Sequence, residues 1–353
     1  MMRVLATTLV LFDPGCLPAA PVLLPAPGSP EAQVVIYSSL DLDMARPILL
    51  AWQHGRPEIA IEYHELLTGQ IQDRVIHESD TDGRTADLVF SSAMDLQVKL
   101  ANDGYGAQVL TPATAHWPDW AMWRETAYAL TYEPAVLAWH RPAFAEISPP
   151  GTRAELLAWL RANPQDARTR VGSYDVTRSG VGYLLLARDQ DLYPGIWDVM
   201  AAGAGPVHTT TGDIIERIVT GDLVLGYNLL GSYVAQWARD FPEQVGMSLP
   251  RDFTVVVSRV ALVPRAAGRA DLGADLLGWL MSDAGQAELS RHLHLPSVSL
   301  GVTGDGDAGG ALVDLGGLRL DPVPVGPGLL AYLDQATRAG LIARWQAARA
   351  GRE

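Results

Sequence analysis

The chain has 353 residues, 48% of them hydrophobic and 19% charged, which is enough to bury two lobes of ordinary domain size and excludes a disordered or coiled-coil protein. Its 40 acidic residues outnumber 26 basic ones, for a formal charge of −14, and this argues against a nucleic-acid partner, because a phosphate backbone requires a basic face. A small anionic ligand stays open, since local dipoles and a single arginine decide such a pocket.

Along the chain, Arg3 and the apolar run at 4–12 resemble a short export signal, followed by a small-residue, proline-rich stretch through Ala32. Residues 1–32 are therefore expected to be a leader and the fold to begin near Gln33. Asp13 and Pro14 interrupt the apolar run early, and no clean small-x-small cleavage site stands out. Cys16 is the single cysteine, so there is no internal disulfide, and Asp13 stands where a lipoprotein signal has an apolar residue. No cysteine or histidine cluster has zinc spacing, no cofactor is expected, and no later run is long and apolar enough to span a bilayer.

From Gln33 onward strand and helix patterns alternate: strand at 34–37, helix near 43–53, strand at 59–63, helix near 69–79, strand at 88–90 and helix at 93–102. This is the α/β signature. Trp117, Trp120 and Trp123 follow in a segment where packing against the first lobe is favoured over a sugar-binding role. The apolar run at 128–139 contains Pro134, so it is not one uninterrupted central strand, and a crossing between lobes is placed there. Helices are expected at 152–163, 180–188, 194–202 and 213–220, with strands at 171–174 and 223–227. The β-rich run at 253–263 is the return crossing, and helices at 271–281, 283–292 and 329–350 close the chain. The glycine- and aspartate-rich segment at 301–317 reads as a mobile loop. Its Asp305 and Asp307 lack the order and closing glutamate of a calcium loop.

Several strands end in small hydroxyl residues where a helix should begin. A helix start leaves backbone N–H groups unpaired and carries partial positive charge, so such an edge suits an anion. The candidates are Ser38 and Ser39; Ser91 and Ser92; Thr177, Arg178, Ser179 and Gly180; Thr210, Thr211 and Gly212; and Tyr227 with Asn228. Each has a plainer reading. The serines and threonines can simply cap helices, Arg178 can form a surface salt bridge, and Tyr233 is more readily a core aromatic than a ligand contact. His292 and His294 are spaced so that a helix points them apart, which disfavours a metal role. No nucleophile elbow, HExxH or Walker-type phosphate loop is present, so a non-enzymatic role is expected, with an enzyme on the same architecture as the competing class.

The segments YSSLD (37–41), ADLVFSSAMD (86–95), RSGVGY (178–183), the stretch from TTTG at 209 to Tyr233, and FTVVVSRVALVPRAAG (253–268) resemble, as an ordered series, the bacterial extracellular solute-binding proteins of ABC importers. The nearest branch contains ferric-ion-, phosphoglycerate-, hexose-phosphate- and phosphonate-related members. The resemblance covers roughly Gln33 to the C-terminus. It implies a two-lobed α/β periplasmic-binding-protein fold (type II), with two crossover strands, a ligand in the cleft and hinge closure on binding. The implied lobes are 33–132 plus 257–353, and 133–256. It further implies a periplasmic or extracytoplasmic monomer that hands its solute to an ABC permease in the inner membrane, with a sensor kinase as a possible second partner.

Ferric-binding members of that family use adjacent tyrosines with a histidine or acid. Here the corresponding stretch at 228–233 keeps only Tyr233, and 38–41 reads Ser-Ser-Leu-Asp, without the family histidine. Hydroxyls and amides do not neutralise a trivalent cation but donate readily to phosphate or carboxylate. The expected solute is a small organic anion, organophosphate ahead of phosphonate or polycarboxylate, with ferric ion last and no metal site.

Overall fold

The computed structural model describes residues 20–298 and 318–350. The export run, Cys16 and the glycine-rich loop lie outside the described residues.

The chain begins with β1 (Val22–Leu24), β2 (Ala32–Ser38), α1 (Leu42–His54), β3 (Ile59–Glu65), α2 (Thr68–Thr81), β4 (Leu88–Ser91) and α3 (Met94–Asn102). β2 runs parallel to β3 on one side and to β4 on the other. Val34, Ile36, Ile59, Ile61, Leu88 and Val89 are buried, as expected of parallel strands covered on both faces. β1 pairs antiparallel with β3 and buries Leu24. This corrects the expected leader boundary: β1 and the start of β2 lie within residues 1–32, yet both belong to the sheet.

β5 (Met122–Trp123) and β6 (Ala127–Ala129) are short, and β7 (Glu133–His140) opens a second sheet. The break falls where Pro134 predicts it, with the proline at the second position of β7. Trp117 is buried and its indole N–H donates to the Ala129 carbonyl at 2.9 Å, so it is a packing residue. The second sheet is built with α4 (Arg153–Ala162), α5 (Pro164–Thr169), β8 (Val171–Tyr174), α6 (Gly180–Leu192), α7 (Ile196–Ala202), β9 (Val207–His208), α8 (Thr211–Thr220), β10 (Leu225–Leu230), α9 (Gly231–Asp240), β11 (Val245–Ser248) and β12 (Thr254–Val257). β13 (Val260–Leu262) then returns to the first sheet, followed by α10 (Ala270–Met281), α11 (Asp283–Leu293), β14 (Leu320–Pro322), α12 (Leu330–Leu333) and α13 (Gln335–Ala350).

The first sheet has the order β1-β3-β2-β4-β13-β6-β5, and the second β14-β12-β7-β10-β8-β9 with β11 also on β7. The chain thus passes between sheets twice, from β6 to β7 and from β12 to β13. The two crossings are stitched together: Leu130 N–H donates to the Arg259 carbonyl at 2.9 Å, and Arg259 N–H donates to Thr131 Oγ1 at 2.8 Å. The C-terminal segment departs from its expected place in the first lobe. β14 pairs with β12 of the second sheet, and Leu341 and Trp345 of α13 pack with Leu156, Tyr183 and Met200.

α9 and β14 escape local reading for one reason. α9 has Leu230 at its N-cap and no side-chain cap of its own. Its first turn is capped instead by Glu133, whose Oε1 accepts the Ser232 N–H at 3.3 Å and the Ser232 hydroxyl. β14 is likewise defined by its partner, β12, and its own three residues carry little strand signal.

Candidate functional site

Where β2 and β4 end, adjacent serines divide the work. Ser38 is buried and its hydroxyl accepts the Leu40 N–H at 3.0 Å; Ser91 is buried and accepts the Ala93 N–H at 3.3 Å. Both hold their own turns, which corrects their reading as ligand contacts. Ser39 and Ser92 turn the other way, into the space between the sheets. Ser39 Oγ accepts the Ser92 N–H at 3.1 Å, and their hydroxyls lie 3.4 Å apart.

Asp41 stands at the N-cap of α1 but makes no cap bond. Its Oδ1 accepts the Tyr233 hydroxyl at 2.6 Å, and its own N–H donates to the same phenol oxygen at 3.2 Å. The first N–H of α1, on Leu42, is taken by Glu65 Oε2 at 2.9 Å. Burial pushes both carboxyls above the usual carboxylate range, more than the Tyr233 hydroxyl and the Arg259 charge pull Asp41 down.

The second half contributes two helix starts. Ser179 caps α6 by accepting the Gly182 N–H at 3.2 Å, and Thr210 caps α8 by accepting the Asp213 N–H at 3.1 Å. The Thr211 hydroxyl shares a 2.5 Å hydrogen bond with Tyr174. Arg178 is exposed at the rim of the same space. Thr177, expected beside it, bonds instead to Asp175 Oδ1 at 2.6 Å. Gly180 serves the approach of the two halves: its N–H donates to Thr68 Oγ1 at 3.2 Å, and a Cβ there would come within 2.7 Å of that oxygen. Gly212 faces Asp41, whose Oδ2 lies 3.8 Å from where its Cβ would be.

These edges enclose a cleft of about 290 Å³. Ser39, Asp41, Glu65, Thr68, Gln70 and Ser92 line it from the side of the first sheet; Arg178, Ser179, Thr209, Thr210, Thr211 and Tyr233 line it from the other. Of the residues singled out from sequence, Ser39, Ser92, Arg178, Ser179, Thr210 and Thr211 come together here.

Tyr227 and Asn228 do not. A register shift in β10 between Gly226 and Leu229, with Asn228 at φ 56°, turns them towards α6. There Tyr227 donates to Asp189 Oδ2 at 2.6 Å, Asn228 Nδ2 donates to the same oxygen at 2.6 Å, and Arg153 Nε donates to the Tyr227 hydroxyl at 2.8 Å. Arg153 and Asp189 are both buried and paired at 2.8 Å. This is a structural network inside the second half, and it corrects the cleft role read for both residues.

Tyr233, read as a core aromatic, does bury its ring, but its hydroxyl reaches the cleft. Asp41 carries no site reading in the sequence, and its reach to Tyr233 is visible only in three dimensions. Glu65, Thr68 and Gln70 lie at the β3–α2 edge, where Leu66 and Leu67 hide the hydroxyl-rich pattern. The signal there is Gln70, whose Oε1 accepts the Leu67 N–H at 2.9 Å, the glutamine half of a capping box.

Beneath the cleft, at the crossings, Arg259 and Glu133 are fully buried and form an ion pair at 3.5 Å. The guanidinium nitrogens have no hydrogen-bond partner among the described residues, and the group lies 5.7 Å from the Tyr233 ring centroid. Among the described residues no three His, Cys, Asp or Glu side chains group to hold a metal ion, and no helix is long and apolar enough to cross a membrane.

Two sheets joined by two crossings, with a cleft between them edged by hydroxyl and charged side chains, define a two-lobed solute-binding protein. No protein-family model and no curated protein sequence matches the chain. Among solved structures, a substrate-binding protein of an ABC transporter from Agrobacterium tumefaciens is 46% identical, over 94% of this chain and 99% of that one, with a TM-score of 0.89. The periplasmic binding protein AfuA from Actinobacillus pleuropneumoniae shares the fold at 14% identity, over 89% and 98% of the two chains, with a TM-score of 0.74. Iron-bound HitA from Pseudomonas aeruginosa does so at 15% identity, over 90% and 99%, with a TM-score of 0.71. The chain belongs to the substrate-binding proteins of ABC transporters.

Proposed function

We propose that this protein captures a small organic anion, with organophosphate the favoured class, and presents it to an ABC permease after export from the cytoplasm. The observation that carries the reading is the convergence of Ser39 and Ser92 from one lobe with Arg178, Ser179, Thr210 and Thr211 from the other on a single cleft. Two helix starts face that cleft, and hydroxyl donors beside them recognise phosphate oxygens without requiring a metal. The AfuA structure holds fructose 6-phosphate, so this fold accommodates a phosphorylated solute of suitable size.

The residues act by position. Ligand contacts from both lobes favour the closed arrangement by the difference in affinity between closed and open states, and no covalent step is needed. The ferric-ion alternative is less favoured: Tyr233 is committed to Asp41, and among the described residues no second tyrosine lines the cleft.

The test is a thermal-shift screen of full-length protein, unfolded and refolded to remove resident solute, against organophosphates, phosphonates, carboxylates and ferric citrate. Ligand at about 100-fold over its Kd should add ~2.7 kcal/mol to stability. A shift with phosphate esters supports the reading; a shift with ferric citrate but not citrate overturns it.

A further inference from the structure

Gly180 is the first residue of α6, a helix of the second lobe that packs against α2 and α3 of the first. Its φ lies outside the left-handed region, so its own backbone does not require a glycine. The requirement comes from across the cleft. A Cβ at 180 would meet Thr68 Oγ1 at 2.7 Å, the Ala93 Cβ at 3.0 Å and Leu96 Cδ1 at 3.4 Å, and all three atoms lie on the side of the first sheet. The same close approach lets the Gly180 N–H donate to Thr68 Oγ1 at 3.2 Å. The other helix start is not constrained in this way: a Cβ on Gly212 would have Thr210 Oγ1 at 3.7 Å and Asp41 Oδ2 at 3.8 Å, which are ordinary contact distances.

We infer that Gly180 is a specificity-determining residue that sets the size of solute the cleft accepts. Without a side chain there, the lobes close until α6 rests on Thr68 and Ala93, and this stop fixes the width of the cleft. The stop adjoins the hydroxyls it spaces, because Ser179 precedes Gly180 and Ser92 precedes Ala93. The inference rests on the reading above in one respect, that a solute is held by both lobes at once. Packed atoms resist overlap, so even one methyl group at 180 has to displace Thr68 or push the lobes apart. Affinity then falls with the fraction of protein that reaches the closed arrangement. A wider gap frees a small solute from one of its two sets of partners, whereas a bulkier solute still spans it.

The experiment places Gly180→Ala and Gly180→Leu in stripped full-length protein, with circular dichroism confirming the fold. Each variant is titrated calorimetrically with glycerol 3-phosphate and with glucose 6-phosphate, and its radius of gyration is measured by small-angle scattering, free and solute-saturated. Affinity for glycerol 3-phosphate is expected to fall at least about tenfold relative to that for glucose 6-phosphate, and further for leucine than for alanine. The radius of gyration is expected to rise. Adding Thr68→Ala to Gly180→Ala removes the atom that the new methyl group meets first, and should return the radius towards that of Thr68→Ala alone; a loss of helix stability would not be rescued in this way. An unchanged radius in both Gly180 variants, or an equal loss of affinity for the two esters, overturns the assignment. If neither ester binds the unsubstituted protein, the organophosphate reading falls, and scattering from the free variants alone decides whether Gly180 is the stop.

Discussion

Tyr233 and Asp41 join the two lobes across the cleft through a pair of hydrogen bonds, the phenol donating to the carboxylate at 2.6 Å and accepting from the Asp41 N–H at 3.2 Å. Tyr233 belongs to α9, whose first turn is capped by Glu133 at one crossing, and Arg259 at the other crossing pairs with that glutamate. The contact that bridges the cleft is therefore built on the hinge itself.

Tyr233→Phe removes both bonds and keeps the ring. A hydrogen bond to a charged group contributes about 1.5–3 kcal/mol, so affinity for the solute should fall about tenfold or more, and the unliganded protein should become more extended. Titration calorimetry and small-angle scattering read these two effects. An unchanged affinity and radius of gyration would show that the contact does not bear on closure.

Glu133→Gln leaves the buried Arg259 guanidinium without a counter-charge. Breaking a buried pair by removing one partner costs about 3–5 kcal/mol, so chemical denaturation should show a loss of that order. Replacing both residues with apolar ones of similar volume should recover much of it. If the double replacement is as unstable as the single one, the cost arises from packing and not from unpaired charge.

Asp95 gives the fold a pH dependence. It is fully buried, Oδ1 accepts the Leu96 N–H at 3.0 Å, Oδ2 has no partner among the described residues, and burial pushes its carboxyl up to about 7 against the partial opposing effects of Leu96 N–H and Arg338. With the native value above the unfolded one, the unfolded chain loses this proton first. The group's contribution to stability therefore declines as pH rises from about 4 to about 7, and is level outside that window. Asp95→Asn should remove this part of the slope in denaturation midpoints measured across the window. An unaltered slope would place the dependence elsewhere.

Ser179 and Tyr227 separate cleft from scaffold. Ser179→Ala should cost about 0.5–2 kcal/mol through the lost cap on α6 and also weaken solute binding. Tyr227→Phe should lower stability, because it removes the hydroxyl bonded to both Asp189 and Arg153, and leave affinity within about twofold. The reverse pattern would return Tyr227 to the ligand site.

Much of the architecture is legible in the sequence because its signals are local. The apolar run of β2, the Thr152 cap of α4, and Pro134 at the start of β7 each act within a few residues. What escapes is set by distant partners. α9 is capped from Glu133, β1 is held by β3, and Asp41 leaves its own helix to meet Tyr233. In the site, the serine pairs show the limit well. Sequence marks Ser38-Ser39 and Ser91-Ser92 as equivalent, and only the direction of each side chain decides that one of each pair serves its turn and the other the cleft.

The central claim is capture of a small organic anion between two lobes. It is tested most directly by a double-mutant cycle on Ser39 and Ser179, one from each lobe, measured by calorimetry with the tightest phosphorus-bearing solute. The account predicts that each alanine substitution weakens binding by about tenfold, with both variants still unfolding cooperatively. Full affinity retained by the Ser39→Ala, Ser179→Ala double variant would contradict it.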